Sequence, residues 1–277
     1  MSRQRSPVGD YLRARRALVQ PESVGIEREP GRRVDGLRRE EVAQLAGISR
    51  EYYLRLEQGW DHQPSDQVVG ALARALGLDA ESTEYLRRLA QRGAHRRVAP
   101  SEPSVVDESI QAMLAQWSHT PAFVKSRNQD VLASNALARA LGPKYMEPGA
   151  NQVIQIFSPA ARHNATDWEG TASQLVADLR MQGDPDDPRL QEIVGTLSLT
   201  DPDFRRIWGR HETASLAAGR SRHLIEPVGW VDFTWQNLAL PGTTHTLATF
   251  WADPGSEAAA AIMYLDARLR QGAAPDA

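Results

Sequence analysis

Cysteine is absent from the 277-residue sequence, and no apolar segment is long enough to cross a membrane. Without cysteine the chain has no disulfide bonds, thiolate zinc sites or cysteine nucleophiles, a composition that suits a reducing compartment. The longest apolar run, 258–265, is far shorter than the roughly 20 residues of a membrane-spanning helix. The first ten residues lack the apolar core of a signal peptide. We therefore expect a soluble, cytoplasmic protein that has no membrane partner.

Catalytic motifs are missing as well: the sequence contains no G-x-S-x-G, no H-E-x-x-H and no glycine-rich phosphate loop. His163 and Asp167 are four residues apart and Glu169 follows, but Pro159 interrupts a helix there and a further ligand is not evident. We predict a protein that is not an enzyme and holds no metal or cofactor. The alternative is an enzyme fused to a DNA-binding module, and its candidate groups would be His163, Asp167, His211, His223 and Glu226.

Charge and aromatic residues divide the chain unevenly. Residues 1–100 hold 18 arginines, no lysine and 14 acidic residues, whereas residues 101–277 hold 14 basic and 21 acidic residues. All five phenylalanines and six of the seven tryptophans follow residue 100. An arginine-rich first part fits an anionic partner, and the bulky side chains favour a separate core in the second part. We predict domains at 1–98 and 107–270, a linker at 99–106 and a disordered tail at 271–277.

The segment "REEVAQLAGISREYYLRLEQG", 39–59, has the spacing of two short helices around a tight turn. Val42, Leu45 and Ala46 recur at helical spacing, and Gly47 permits a sharp change of direction. Ser49 is a candidate N-cap for a second helix that ends near Gly59. Its inward positions would be Tyr52, Tyr53 and Leu56. Ser65 and Asp79 are candidate caps of two further helices.

A second helix of this kind can present its first turns to the major groove of DNA. Arg50 and Arg55 can grip guanine, and Glu51 can accept from cytosine. Arg39 and Gln58 could hold phosphates, which position the protein without reading sequence. Tyr52 completes the predicted DNA-binding set. An exposed helical hairpin with solvated charges is the alternative reading of this segment alone.

The second region mixes helical and strand periodicity. Two short strands are predicted around the turn 127–129, and helical patterns cover 107–117, 166–182, 190–197 and 204–211. Alternating residues then indicate antiparallel strands, with one apolar set at Val231, Phe233 and Trp235 and a second at Leu247, Thr249 and Trp251. A final helix is predicted over 256–270. This order favours an α+β domain in which helices cover a small antiparallel sheet and leave room for a pocket.

The stretch 37–59 resembles the lambda-repressor-like, XRE-type helix-turn-helix domain. Together with "TPAFVKSRNQDVLASNALARALG", "DWEGTASQLVADLR", "DPDDPRL" and "FRRIWGRHE", it makes nearly the whole chain similar to the MmyB-like transcription regulators. That resemblance implies a mainly α N-terminal DNA-binding domain and a C-terminal PAS-like ligand-binding domain. At least one relative is associated with a fatty acid, which implies a small amphipathic ligand for this chain too. A double-stranded DNA operator and a second copy of the chain are the other implied partners.

The sequence departs from the family pattern at three positions. Ile154 stands where relatives commonly have arginine, and Glu226 stands where they often have histidine. If those residues touch the effector in relatives, the ligand here differs or is absent. Arg38 stands where relatives often start a helix with Ser or Thr, so we expect water or a phosphate to cap that helix end.

Aromatic and apolar residues of the second region are the candidate pocket lining. They could equally fill a core, which is the default role of any one of them. His211 is a candidate pocket-edge residue for the same reason. The alternative function for the region is a ligand-free surface for another protein such as RNA polymerase. The predicted lining is Phe123, Phe157, Trp168, Leu175, Leu179, Phe204, Trp208, His211, Phe233 and Trp251.

Overall fold

The computed structural model describes residues 6–28, 31–59, 63–92, 105–164 and 167–272. Packing divides the chain into two compact units, one of Met1–Val98 with Arg205–Ala214 and one of Ala99–Phe204 with Ser215–Ala277. The sequence did not indicate that a later segment would join the first unit. Most of the predicted linker lies outside the described residues, and so do the last five residues of the chain.

The first unit is helical, as predicted. Its helices are α1 (Pro7–Leu18), α2 (Arg39–Ala46), α3 (Arg50–Glu57), α4 (Asp66–Ala75) and α5 (Ala80–Arg92), with a 3₁₀ turn at Pro21–Val24. Ser65 Oγ accepts from the backbone N–H of Val68, and Asp79 accepts from that of Ser82. These contacts satisfy N–H groups that a helix start leaves without intrahelical partners.

The core of the first unit gathers one apolar side chain or more from each helix. Its largest fully buried members are Tyr11, Leu12, Leu37, Tyr53, Leu72, Leu76 and Leu86. Leu45 recurs with Val42 and Ala46 at helical spacing but is 40% exposed. The inward stripe of α2 is formed by Val42, Ala43 and Ala46 instead. The small Ala43 allows the neighbouring helices to approach closely.

Residues 205–214 pack within the first unit. The ring of His211 lies 6.5 Å from the ring of Tyr11, and Thr213 Oγ1 lies 3.0 Å from Ser82 Oγ. Thr213 and Ser82 are both buried, so this hydroxyl pair has little competition from water. The segment is therefore held by a ring contact and by a buried hydrogen bond.

The rest of the described chain forms an α+β unit that confirms the predicted fold class. Its sheet is antiparallel in the order β2-β1-β5-β4-β3. The strands are β1 (Ala122–Lys125), β2 (Val131–Ser134), β3 (Ala218–Ile225), β4 (Gly229–Ala239) and β5 (Thr246–Trp251). The helices after residue 105 are α6 (Glu108–Gln116), α7 (Ala136–Leu141), α8 (Gln152–Ile156), α9 (Pro159–Asn164), α10 (Trp168–Gln182), α11 (Pro188–Thr200), α12 (Pro202–Gly209) and α13 (Glu257–Gly272).

One face of the sheet packs against α7 and α13. Phe123, Val231, Phe233 and Phe250 lie on this face with Leu137, Leu141, Ile262 and Leu265 of the two helices. On the opposite face, α6 covers Val124 and Leu247 of β1 and β5. Strands β1 and β5 therefore bury alternate residues against different helices, as their period of two allows.

β5 is an antiparallel strand, as its alternating set predicted, but that set does not face α7 and α13. Ala248 and Phe250 face α7 and α13, whereas Leu247 lies on the α6 side and Trp251 is 46% exposed. Apolar residues occupy both alternating sets of this strand, so the sequence pattern could not show which set faces the helices.

Buried polar groups connect α10 with the β1–β2 turn. Asp178 accepts hydrogen bonds from Gln129 Nε2 (2.8 Å) and from the Leu216 backbone N–H (3.1 Å). Lys125 Nζ donates to Gln129 Oε1 at 2.7 Å and lies 3.7 Å from the Asp178 carboxylate. Burial lowers the pKa of Lys125, and the nearby carboxylate opposes that shift.

Candidate DNA-binding surface and ligand site

The turn between α2 and α3 depends on Gly47. Its φ of 65° lies in the left-handed region, where a side chain on the residue is costly. The N–H groups of Gly47 and Ile48 bond to carbonyls of α2, and Ser49 Oγ then accepts from the Tyr52 N–H at 3.1 Å. The chain ends one helix and starts the next within three residues. This is the geometry of a helix-turn-helix.

The start of α2 is capped from within the protein. A carboxylate oxygen of Glu41 accepts from the Arg38 N–H at 2.6 Å, and Arg32 donates to both Glu41 oxygens at 2.6 Å. Hydrogen bonds from Arg32 hold the pKa of Glu41 below its usual value. Glu41 therefore satisfies the N–H of the N-cap residue, and a water or phosphate cap for the N–H groups of the first helical turn stays a prediction.

The outer side of α3 carries the predicted base-reading residues. Arg50, Glu51, Arg55 and Gln58 are exposed, while Tyr53 and Leu56 are buried beneath them and Tyr52 is half-buried. The exposed positions recur at helical spacing, so they share one face of the helix. Three of them are long charged side chains, which extend from this face into solvent. The arrangement suits contact with base edges and phosphates in a groove.

Glu57, at the end of α3, is a buried carboxylate between two arginines. Its side chain is 1% exposed and accepts from Arg16 Nε and Arg39 Nε, each at 2.6 Å. Burial opposes ionisation of Glu57, but the hydrogen bonds from both arginines outweigh it and hold the pKa of the carboxyl below its usual value. Arg39 remains 44% exposed, and its pKa is raised by the bond to Glu57. Glu57 therefore fixes one edge of an arginine that was predicted to hold a phosphate.

Helix α1 braces α3 through its backbone. A Cβ atom on Gly9 would stand 2.3 Å from the Glu57 carbonyl oxygen, so only glycine allows this approach. Arg13 also donates to that carbonyl at 3.0 Å. Helix α1 therefore sets the position of α3 from its inner side. The outer side of α3 remains exposed.

The predicted pocket residues of the second unit do not form one group. Phe157 contacts Trp168 and Phe204 edge-to-face, with ring centroids 5.6 and 5.3 Å apart. The guanidinium of Arg162 lies 4.1 Å from the Trp168 ring and binds Asp201 and Asp203. The rings of this cluster pack edge-to-face, as side chains in a core do, and the partly exposed Arg162 connects them with two aspartates.

Two of the other predicted lining residues belong to a different cluster. Phe123 and Phe233 are in the core beneath α7 and α13, and Leu175 and Leu179 are buried on α10. Trp208 and His211 belong to the segment that packs in the first unit, and Trp251 is on the opposite side of the sheet from Phe250. Bulky residues are difficult to assign to a pocket from sequence, because the same residue types fill cores.

A cleft of about 590 Å³ lies in the second unit at residues that the sequence analysis did not select. It is lined by α6 with Trp117 and Ser118, by the β2–α7 connection and by the last turns of α13. Its apolar wall includes the partly exposed Leu269 and the buried Leu114 and Leu137. Arg139 and Arg270 contribute cations, and Asp266 of the same lining pairs with Arg270 at 2.8 Å. The elements that line it are up to about 150 residues apart in the chain, so no local pattern could indicate the cleft.

Two positions that depart from the family pattern, both in the second unit, are at the surface. Ile154 on α8 is 38% exposed, and Glu226 is exposed in the β3–β4 turn. His163 is exposed on α9, and Asp167 caps α10 by accepting from the Gly170 N–H. In the described part of the chain, no three His, Asp or Glu side chains form a possible metal site. No helix among these residues is long and apolar enough to cross a membrane.

Comparison with protein families supports both the helix-turn-helix in the first unit and a ligand-binding domain in the second. A model described as a helix-turn-helix domain matches residues 7–86. A model described as the MmyB-like transcription regulator ligand binding domain matches residues 106–265, more than half of the chain. A search of curated proteins found no match. A helix-turn-helix followed by this domain makes the protein a DNA-binding transcription regulator with a C-terminal ligand-binding domain, and the chain belongs to the MmyB-like family.

Proposed function

We propose that the protein recognises a specific double-stranded DNA operator through α3 and responds to a small amphipathic ligand. Arg50, Glu51 and Arg55 read base edges, Tyr52 contributes to the same surface, and Arg39 and Gln58 hold phosphates. The protein acts as a homodimer, because helix-turn-helix proteins commonly read two half-sites about one DNA turn apart. Ligand binding changes the affinity for the operator.

The observation that carries the DNA-reading proposal is the division of α3 into two sides. Its inner side is fixed by Gly9, Arg16 and the buried Glu57, and its outer side presents exposed charged residues. A rigid helix that presents arginines at a fixed orientation can discriminate between base pairs, since a bidentate contact depends on geometry.

The test begins with selection of bound sequences from a random DNA pool, followed by affinity measurement by fluorescence anisotropy. Arg50→Ala should weaken binding by roughly 1 to 3 kcal/mol at one base pair and relax selectivity there. Arg74→Ala removes an exposed arginine of α4 in the same unit and is the matched control. Unchanged affinity and selectivity for Arg50→Ala would remove Arg50 from the readout set.

The cleft of the second unit is our proposed ligand site. Its volume of about 590 Å³ lies in the range of small-molecule pockets, roughly 300 to 1,000 Å³. Leucines on the wall suit an acyl or other apolar chain. Arg139 suits an anionic head group, as does Arg270, whose guanidinium also pairs with Asp266 of the same lining at 2.8 Å. This location differs from the aromatic lining that the sequence suggested, and it supports the same amphipathic class of ligand.

Native mass spectrometry and thermal shift with decanoate and dodecanoate test the ligand proposal. Ala115→Trp places a large side chain in the cleft, so it should abolish the adduct and the thermal shift. Ala112→Trp makes the same change at an exposed position of α6 outside the lining and should bind as the wild type does. Equal binding by both variants would exclude the cleft.

A ligand-free interaction domain is the second candidate function, with RNA polymerase among the partners to test. The exposed apolar residues on one side of the sheet favour it. Absence of any amphiphile adduct, together with direct binding of purified polymerase to the regulator, would move the assignment to this function.

A further inference from the structure

One side of strands β3, β4 and β5 carries large apolar residues that remain exposed. Leu224, Trp230 and Trp251 are 51%, 42% and 46% exposed. Their neighbours Ile225, Val231 and Phe250 face α7 and α13, so these three residues lie on the opposite side of the sheet. Exposed apolar patches of this kind commonly mark interaction surfaces.

The strand register fixes how the exposed residues are arranged. Leu224 pairs with Trp230, Arg222 with Asp232, and Arg220 with Thr234, which in turn pairs with Trp251. Arg222 Nε lies 3.6 Å from Asp232 Oδ1, and both side chains are more than half exposed. We call the surface formed by residues 220, 222, 224, 230, 232, 234 and 251 the open sheet face.

We infer that the open sheet face is the surface through which two copies of this chain associate. Consider a two-fold axis that is parallel to the strands, lies midway between the two packed sheets and passes over the line between β3 and β4. This axis would place β3 of one copy opposite β4 of the other. Arg222 would then face the second copy's Asp232, and Leu224 would face its Trp230. Two sheets that pack in this way lie about 10 Å apart with their side chains interdigitated.

The paired charges of Arg222 and Asp232 favour a second copy of the chain as the binding partner of the open sheet face. An acid and a base sit at paired positions of neighbouring strands, so the surface is complementary to itself under that axis. Arg222 and Asp232 would each gain a partner of opposite charge across the interface without losing their contact within the chain. A surface of one charge sign would instead favour a different molecule.

The size of the open sheet face sets the expected strength. β3 and β4 pair over eight residues, which is roughly 26 Å of strand, and the three strands span about 10 Å. This footprint of a few hundred Å² is smaller than the roughly 800 Å² that each partner buries in a stable complex. The dimer should therefore be weak and concentration-dependent in the absence of DNA.

Sedimentation velocity of the full chain without DNA tests the inference. The wild type should show a dimer that grows with concentration, and Arg222→Glu or Asp232→Arg alone should weaken it by about tenfold or more. An equimolar mixture of the two variants should restore the dimer. The substituted residue 222 of the first variant would face the substituted residue 232 of the second, and these have opposite charges. The unchanged Asp232 of the first variant would face the unchanged Arg222 of the second. Both variants lack the ion pair within the chain, so recovery on mixing can come only from contact between chains.

Arg28→Glu, which reverses the charge of an exposed arginine paired with Asp35, is the control and should sediment as the wild type does. Circular dichroism and thermal melting verify that each variant is folded. A wild type that stays monomeric at every concentration, or a mixture that stays as monomeric as its components, would overturn the inference. The inference names the surface of the homodimer proposed above, and since its test uses no DNA, failure of operator recognition would be seen separately.

Discussion

Arg39 Nε lies 2.6 Å from a carboxylate oxygen of Glu57, so the first residue of α2 is tied to the last residue of the recognition helix. The same carboxylate binds Arg16 of α1. A single buried acid therefore links three helices of the DNA-binding unit. Its charge matters because both partners are cations, and one of them is largely buried.

Glu57→Gln should destabilise the first unit by about 3 to 5 kcal/mol, because it leaves Arg16 without its buried counter-charge. Urea denaturation measures this, and Glu51→Gln at an exposed position of α3 is the control, with an expected change within about 0.5 kcal/mol. The folded-state pKa of Glu57 is lowered, so its contribution is present above the usual glutamate pKa and is lost as pH falls through the folded value. Glu57→Gln should therefore lose part of the acid sensitivity of the wild type.

Gly9→Ala should weaken both stability and operator binding. The added Cβ would lie 2.3 Å from the Glu57 carbonyl, a backbone atom that cannot move without shifting α3. Overpacking of this kind costs about 1 to 3 kcal/mol. Gly70→Ala is the matched control, since its nearest neighbour would be a flexible arginine atom at 3.7 Å and helix propensity favours alanine by about 0.5 to 1 kcal/mol. If Gly9→Ala melts and binds DNA as the wild type does, α1 does not set the position of α3.

Asp178→Ala should cost about 3 to 5 kcal/mol, because Lys125 would remain buried without a counter-charge. Lys125→Met in the same chain should recover part of the loss by removing that uncompensated charge. Chemical denaturation of the two single variants and the double variant gives their coupling energy. Strictly additive effects would mean that Lys125 and Asp178 do not interact.

The stability of the second unit should decline between pH 6.5 and 4 in part through His223. Its ring packs between Phe233 and Phe250 and lies 2.9 Å from Ser221 Oγ, and burial lowers its pKa to about 4. The unfolded chain binds a proton to this residue at a higher pH than the folded chain does, so stability is fully present above the unfolded pKa and is lost as pH falls. His223→Gln, which does not titrate, should show a smaller loss when melting temperature is followed across this range.

The sequence predicted those elements in which side-chain pattern and turn chemistry agree. Gly47, Ser49 and Ser65 bound the helices they were expected to bound, because caps depend on local chemistry. The strands around the turn 127–129 also appeared as predicted. Because β1 is buried on both faces, with Phe123 toward α7 and α13 and Val124 toward α6, the turn residues rather than an apolar stripe located these strands.

Other features could not be predicted because competing side chains obscure the pattern. Strand β3 was missed, since its residues facing the helices include Gly219, Ser221 and His223, which are not an apolar set. Gly219 is explained by its neighbour on β4: the Trp235 ring occupies the place where a Cβ would stand, 2.5 Å away. The DNA-reading residues remain a prediction, as does their division into base and phosphate contacts.

The contacts that hold α3 from its inner side are separate from the positions proposed to read DNA, which bears on how such a regulator changes its target during evolution. Gly9, Arg16 and Glu57 hold the helix from its inner side, whereas Arg50 and Glu51 lie at exposed positions of the first turn. Substitution at exposed helix positions typically changes stability by no more than about 0.5 kcal/mol. If Arg50 and Glu51 read the operator as proposed, new operator preferences can arise by exchange of these one or two residues, without a compensating change in the scaffold and without an intermediate that fails to fold.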